Sequence, residues 1–223
     1  MTGQPNERHI FVYCAPERVS EQTVHAASQD DFAIVTEWIR ADRPLIARTR
    51  REQDAPNWIA LGLPLPLDRG KKRIALAVNP SIVQSVNQPP LLSEVFDILP
   101  ALWKPRIAKL CADLTVHAEN VRVVGSLAWQ HLTGEAYLHP KSDIDVVIHA
   151  TGIDRLRTLL QILADSDLSP GPRIDGEIVA PNGAAVSWRE LLGSSRDILV
   201  KDIRGPRVVL REDWLGPLRE HAT

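Results

Sequence analysis

Asp143 and Asp145 stand two positions apart at the head of a β-branched run that continues as Val146-Val147-Ile148. In an extended strand, residues two apart project from one face, so both carboxylates point the same way while Ile144 and Val146 point the other. Two like charges held side by side repel each other unless a cation lies between them. Carboxylate oxygens are hard ligands that suit Mg²⁺, which is usually held by one or two carboxylates plus substrate phosphates. Earlier in the chain, the short apolar run Val121 to Val124 leads into Gly125-Ser126. The glycine admits a close backbone approach, and Ser126 starts a helix whose free N–H groups form a natural phosphate site. A metal-carboxylate pair and a phosphate cradle are two halves of a phosphoryl-transfer site.

A third carboxylate would complete such a site. Asp175 and Glu177 lie two apart on a later strand, with Arg173 on the same face. Asp175 is favoured and Glu177 is the close alternative. Asp143, Asp145 and Asp175 would form a metal set able to hold two ions about 4 Å apart, one activating the attacking oxygen and both steadying the leaving phosphates. Alone, an Asp-x-Asp at a strand start is more often a solvated edge or a capping pair. The order strand, Gly-Ser, helix, loop, acidic strand, second acidic strand turns the balance toward chemistry.

Other residue types weigh less. Lys201, after a strand-like run, is a phosphate candidate. Arg48-Thr49-Arg50-Arg51 and Arg69-Gly70-Lys71-Lys72-Arg73 are basic clusters that suit either phosphates or a solvated face. His131 and His139 flank the loop before Asp143 without metal-ligand partners, which favours structural roles. Trp129 and Trp188 are expected to pack the core.

The elements that must carry these residues follow from periodicity and punctuation. Asp31 to Ala41 reads as a short helix, with Phe32, Val35, Trp38 and Ile39 on one face. Pro44 to Arg48 and Arg73 to Val78 read as strands, and Leu61 to Pro66 must be extended because of its prolines. The Pro-rich end of Asn79 to Pro90 marks a boundary between residues 1–88 and 89–223. A helical hairpin is expected next, Leu91 to Leu99 followed by Trp103 to His117. Beyond it come strands at Val121 to Val124, Asp143 to Ile148 and Ile174 to Val179. Helices at Leu127 to Leu132, Asp154 to Ala164 and from Trp188 separate them, with a turn at Asn182-Gly183. Val208 to Arg211 is a last strand before an amphipathic tail.

The bulk properties set outer limits. The 223 residues are 44% hydrophobic and 24% charged, ordinary for a globular protein with one large domain or two small ones. The net charge of -2 argues weakly against a general nucleic-acid binder. Cys14 and Cys111 lack partners at metal-ligand spacing and are expected to be reduced thiols. The N-terminus, MTGQPNERHIFVYC, has no apolar core of a signal peptide, and no run approaches a membrane span. A cytoplasmic protein without membrane or nucleic-acid partners is expected.

Gly-Ser, a helix and then Asp-x-Asp resembles the nucleotidyltransferase (polymerase β-like) superfamily. The blocks Val123 to Gly134, Tyr137-Leu138-His139 and Ser142-Asp143-Ile144-Asp145 resemble the malonate decarboxylase holo-acyl-carrier-protein synthase family, the phosphoribosyl-dephospho-CoA transferases. So do Arg43-Pro44-Leu45, Gly62 to Pro66, Lys72 to Ala75, Asp175-Gly176-Glu177, Ala185 to Leu191 and Leu199-Val200-Lys201. The resemblance implies an α+β fold, with a nucleotidyltransferase-like C-terminal domain whose mixed sheet is flanked by helices and a small α+β N-terminal domain. It implies transfer of phosphoribosyl-dephospho-CoA from 2'-(5-triphosphoribosyl)-3'-dephospho-CoA to a serine of the apo acyl carrier subunit of malonate decarboxylase, with loss of diphosphate. Asp143 and Asp145 would hold Mg²⁺, with Mn²⁺ as the alternative ion. Asp175 or Glu177 would hold a second ion or act as base, and Gly125 and Ser126 would bind the leaving diphosphate. Arg173 and Lys201 would meet substrate phosphates. Other acceptors, such as the citrate lyase carrier protein, a tRNA, a small molecule or a protein hydroxyl, are the alternative. So is a catalytically inactive carrier-protein adaptor.

Overall fold

The computed structural model describes residues 8–50, 54, 56–118 and 120–220. The chain forms two compact units, one of residues 1–89 with 132–137 and one of residues 90–131 with 138–223. Each is built on its own six-stranded sheet, which makes the protein α+β. No helix among the described residues is long and apolar enough to cross a membrane.

In the first unit, β1 (Phe11–Cys14), β2 (Val24–Ala26), β3 (Leu45–Ala47), β4 (Ile59–Pro64), β5 (Arg73–Val78) and β6 (Val83–Asn87) form an antiparallel sheet in the order β2-β5-β4-β3-β1-β6. The helix α1 (Gln29–Arg40) begins at Ser28, whose hydroxyl accepts the Asp31 N–H. Val35, Trp38 and Ile39 face the core as the spacing predicts, but Phe32 is only half-buried. Asp31 is buried beside it and is held by Lys72 Nζ. Trp38 donates its indole N–H to Pro44 O at 2.8 Å, which fixes the turn into β3.

Residues 132–137 belong to this unit although their neighbours in sequence do not. Leu67 N donates to Ala136 O, Tyr137 Oη donates to Pro64 O, and Glu135 pairs with Arg43. Burial pushes the Tyr137 hydroxyl well above its ordinary range, so it serves as a fixed donor.

The second unit holds α2 (Lys104–Thr115), β7 (Val121–Val124), α3 (Gly125–Thr133, whose last two residues fall in the first unit), β8 (Ile144–His149), α4 (Ile153–Asp167), β9 (Ile174–Val179), β10 (Ala185–Ser187), α5 (Trp188–Leu192), β11 (Asp197–Asp202), β12 (Gly205–Leu210) and α6 (Arg211–Glu220). The sheet order is β12-β11-β10-β9-β8-β7. Only β8 and β9 are parallel, as the α4 crossover between them requires, so the sheet is mixed.

One face of this sheet is oily. Ile144, Val146, Ile148, Ile174 and Ile178 are fully buried. Helices α2, α4 and α5 pack against the strands, with Leu156, Leu159 and Leu163 of α4 turned inward. Each such side chain stabilises the fold by roughly 1.5–3 kcal/mol relative to exposure. The alternate residues form the other face, where Val124, Val147, Val179 and Ala185 make a small buried apolar cluster.

The expected helical hairpin is half correct. Trp103 to His117 contains α2, but residues 91–99 are turns with a short 3-10 turn at Phe96–Ile98. Their backbone has another use, because Leu92 N donates to Val121 O and Val123 N donates to Pro90 O. This segment closes the β7 edge of the sheet.

A carboxylate site on the open face of the second sheet

The geometry of the site begins at the turn from β7 into α3. Gly125 has φ +63, and a Cβ built there would collide with Asp145 Oδ2. Only glycine satisfies both conditions. The register places Val124 opposite Asp145 on β8, and Asp145 opposite Asp175 on β9. Cross-strand partners share a face, so the turn, the Asp145 carboxylate and Asp175 meet on one side of the sheet. Asp143 lies just before β8 and is half-buried, and Ile144 beside it fills the core.

The loop before Asp143 is tightly organised. Ser142, a buried hydroxyl, accepts from His139 N, and Ser142 N donates to His139 O. His139 Nδ1 accepts from Lys141 N, and Gln130 of α3 accepts from Leu138 N at 2.9 Å. His139 is thus a loop-holding residue, and Trp129 and Trp188 are buried in the core.

The remaining expected residues lie on β9 and β11. Gly176, between the two acidic residues, has φ +152, and a Cβ there would strike Val146 O, so β9 presses directly against β8. Asp175 Oδ1 accepts from Gly176 N, and Arg173 lies 3.6 Å from its other oxygen. Glu177 is opposite Val147, one rung further along, and is paired with Lys201 at 3.1 Å. Asp175 is thus the acidic neighbour of Asp145, while Glu177 is engaged by a lysine. The two basic clusters of the first unit are largely used inside it. Arg48 pairs with Asp54, Arg69 with Glu37 and Lys72 with Asp31, and Arg51 lies outside the described residues.

The two aspartates offer hard oxygens at one strand start, next to a turn with no side chain, and this donor set fits one Mg²⁺ completed by substrate phosphates and water. The three-carboxylate set is not gathered here. Among the described residues, no group of three or more His, Cys, Asp or Glu side chains is arranged to hold a metal ion.

Residue types and spacing did not single out Arg189. It makes a two-pronged pair with Asp167, at 2.8 and 3.0 Å, and donates to Ile174 O at the start of β9. Its guanidinium stacks 4.3 Å from the Trp188 ring centre. The hydrogen bonds to Asp167 raise its pKa above the ordinary value, and the charges of Asp175 and Asp143 raise it further. Besides Arg173, a second positive charge near the start of β8 and β9 therefore comes from α5. An arginine after a tryptophan at a helix start was the available signal.

Comparison with known proteins finds two family domains that meet near residue 90. The family described as phosphoribosyl-dephospho-CoA transferase MdcG C-terminal domain matches residues 91–212, and the corresponding N-terminal domain family matches residues 7–89. A phosphoribosyl-dephospho-CoA transferase of Bradyrhizobium diazoefficiens is 38% identical over 93% of this chain and 90% of its own length. That of Xanthomonas euvesicatoria is 33% identical over 96% of this chain and 99% of its own. No solved structure matches the chain. Over almost its whole length, then, the chain belongs to the phosphoribosyl-dephospho-CoA transferase family.

Proposed function

We propose that this protein attaches phosphoribosyl-dephospho-CoA to a serine of the malonate decarboxylase acyl carrier protein. The donor is 2'-(5-triphosphoribosyl)-3'-dephospho-CoA and the leaving group is diphosphate. The observation that carries the mechanism is the Asp145 carboxylate set against Gly125, in register with Asp175 on the next strand. Family membership supports the transferred group.

The serine oxygen attacks the phosphorus next to the ribose 5' oxygen. A P–O bond to the serine forms as the bond to the β-phosphate oxygen breaks, and the electron pair leaves on diphosphate. The seryl proton must go to a base. Asp175 is better placed than Glu177, whose carboxylate is held by Lys201. Asp143 and Asp145 would hold Mg²⁺ or Mn²⁺, which would neutralise charge on the triphosphate. The absence of a side chain at Gly125 leaves room for the phosphates, and the N–H groups at the start of α3, with Ser126, receive the leaving diphosphate. Arg173, beside Asp175, and Lys201, beside Glu177, would meet further phosphate oxygens.

The test is intact-mass spectrometry of apo carrier protein incubated with enzyme, Mg²⁺ and the triphosphate donor. A gain equal to one phosphoribosyl-dephospho-CoA group, absent with Asp143→Ala, is expected. No gain with a competent malonate decarboxylase carrier, but gain on the citrate lyase carrier, would overturn the acceptor and keep the chemistry.

A further inference from the structure

The face of the second sheet that carries Asp145 and Asp175 continues onto β11 and β12. On β11, Lys201 reaches Glu177 across β10, and Leu199 lies two residues before it on the same side. Leu199 is opposite Val208 of β12, and Lys201 is opposite Pro206. Leu199 is 38% exposed and Val208 66%, with Ile203 and Leu210 each 37% exposed. These are β-branched and apolar side chains on an edge hairpin, where polar residues are the usual protection. The opposite edge at β7 is closed by residues 90–92, and β12 has no partner strand beyond it among the described residues.

Charge says what kind of molecule fits. Residues 196–211 hold five basic side chains against two aspartates, although Lys201 pairs with Glu177 and Arg211 donates to the carbonyls of Glu190, Leu191 and Ser195. Arg196 and Arg204 are exposed at the two ends of the hairpin, and Arg207 pairs with Asp202 on its other side. An apolar centre with a basic rim suits an acidic protein surface with a few exposed apolar side chains.

We infer that the β11–β12 hairpin is the docking surface for the acidic, serine-bearing carrier protein. This rests on the transfer reaction proposed above. The acceptor serine must reach Asp145 and Asp175, and the line Val208, Leu199, Lys201, Glu177, Asp175 runs from the hairpin to the site along the face that carries them.

Val208→Glu and Arg204→Glu separate the possibilities. Both side chains are exposed, so neither change disturbs the core. Circular dichroism serves as the check on folding. Binding of fluorescently labelled apo carrier subunit of malonate decarboxylase is measured first, without donor, and then KM for carrier and for donor separately. Each variant is expected to weaken carrier binding and to raise carrier KM by about tenfold. Donor KM and kcat should stay within about twofold. Wild-type binding should weaken with salt, and less steeply in Arg204→Glu. Carrier binding equal to wild type in both variants would overturn the inference. So would a wild-type dimer that Val208→Glu splits while carrier KM is unchanged, since the face would then join two copies. If wild type binds carrier but transfers nothing, the reaction falls while the docking surface is still decided by the binding data.

Discussion

The two sheets of this protein handle charge differently. In the first unit, buried or half-buried charges have fixed partners close by. Arg48 is gripped by Asp54, Asp31 by Lys72, and Arg43 by Glu135 while stacked on Trp38. The second unit has such pairs too, Arg189 with Asp167 and Lys201 with Glu177, but there Asp145 and Asp175 also stand opposite each other on adjacent strands, with Asp143 just before β8 and Arg173 3.6 Å from Asp175. Paired charges of opposite sign make a scaffold. Neighbouring charges of one sign cost stability and persist where a ligand supplies the opposite charge. The contrast supports the proposal that the chemistry lies in the second unit, while the basic clusters of the first are largely paired within it.

The contrast breaks most sharply at the aspartates. Asp143→Ala and Asp145→Ala should each lower transfer by about a thousandfold or more, as expected when a main source of charge stabilisation is removed. Circular dichroism should show an intact fold. Gly125→Ala should come next. Its Cβ must displace the Asp145 carboxylate, and a misplacement near 1 Å costs on the order of 100-fold in rate. The positive φ adds about 1 kcal/mol of strain, visible as a lower melting temperature.

Asp167→Asn tests the arginine cluster behind the site. Arg106 is buried and Arg189 partly so, and Arg106 Nη2 and Arg189 Nε have no hydrogen-bond partner among the described residues. Losing their shared carboxylate should cost about 2 kcal/mol, below the range for a fully buried pair because Asp167 is partly exposed. Hydrogen bonds from Arg189 hold the Asp167 carboxyl below its ordinary pKa. Its stabilisation is therefore present above the unfolded pKa, near 4, and is lost as pH falls through the lower folded value. Acid unfolding curves of wild type should steepen in that window relative to Asp167→Asn. The smallest effect is expected from Asp145→Asn without metal, a rise of about 0.5 kcal/mol at most as repulsion is relieved. A clear fall in melting temperature would make the pair structural.

The sequence was most legible where local pattern decides structure. β5, β8 and β9 follow from β-branched runs bounded by turn residues, and α1 and α4 from their apolar stripes. β1 and β6 pass unnoticed because they are strands through pairing with segments distant in sequence, Phe11 against Asn87 and against Ile46 of β3. Residues 91–99 read as a helix because their apolar spacing allows one, yet their backbone is claimed by β7. Nothing local announces that residues 132–137 leave one unit for the other. At the site, the shared face of Asp175 and Glu177 was visible from spacing alone. That Glu177 is taken by Lys201 depends on β10 and β11, whose order in the sheet spacing does not encode.

The most direct test of the site is metal binding itself. Mn²⁺ can be followed by electron paramagnetic resonance as it is titrated into the enzyme with the triphosphate donor, in wild type, Asp143→Asn, Asp145→Asn and Glu177→Gln. The expected result is binding in wild type and in Glu177→Gln, with affinity lost in both aspartate variants. Unchanged Mn²⁺ affinity in Asp143→Asn and Asp145→Asn would contradict the carboxylate site on which the mechanism stands.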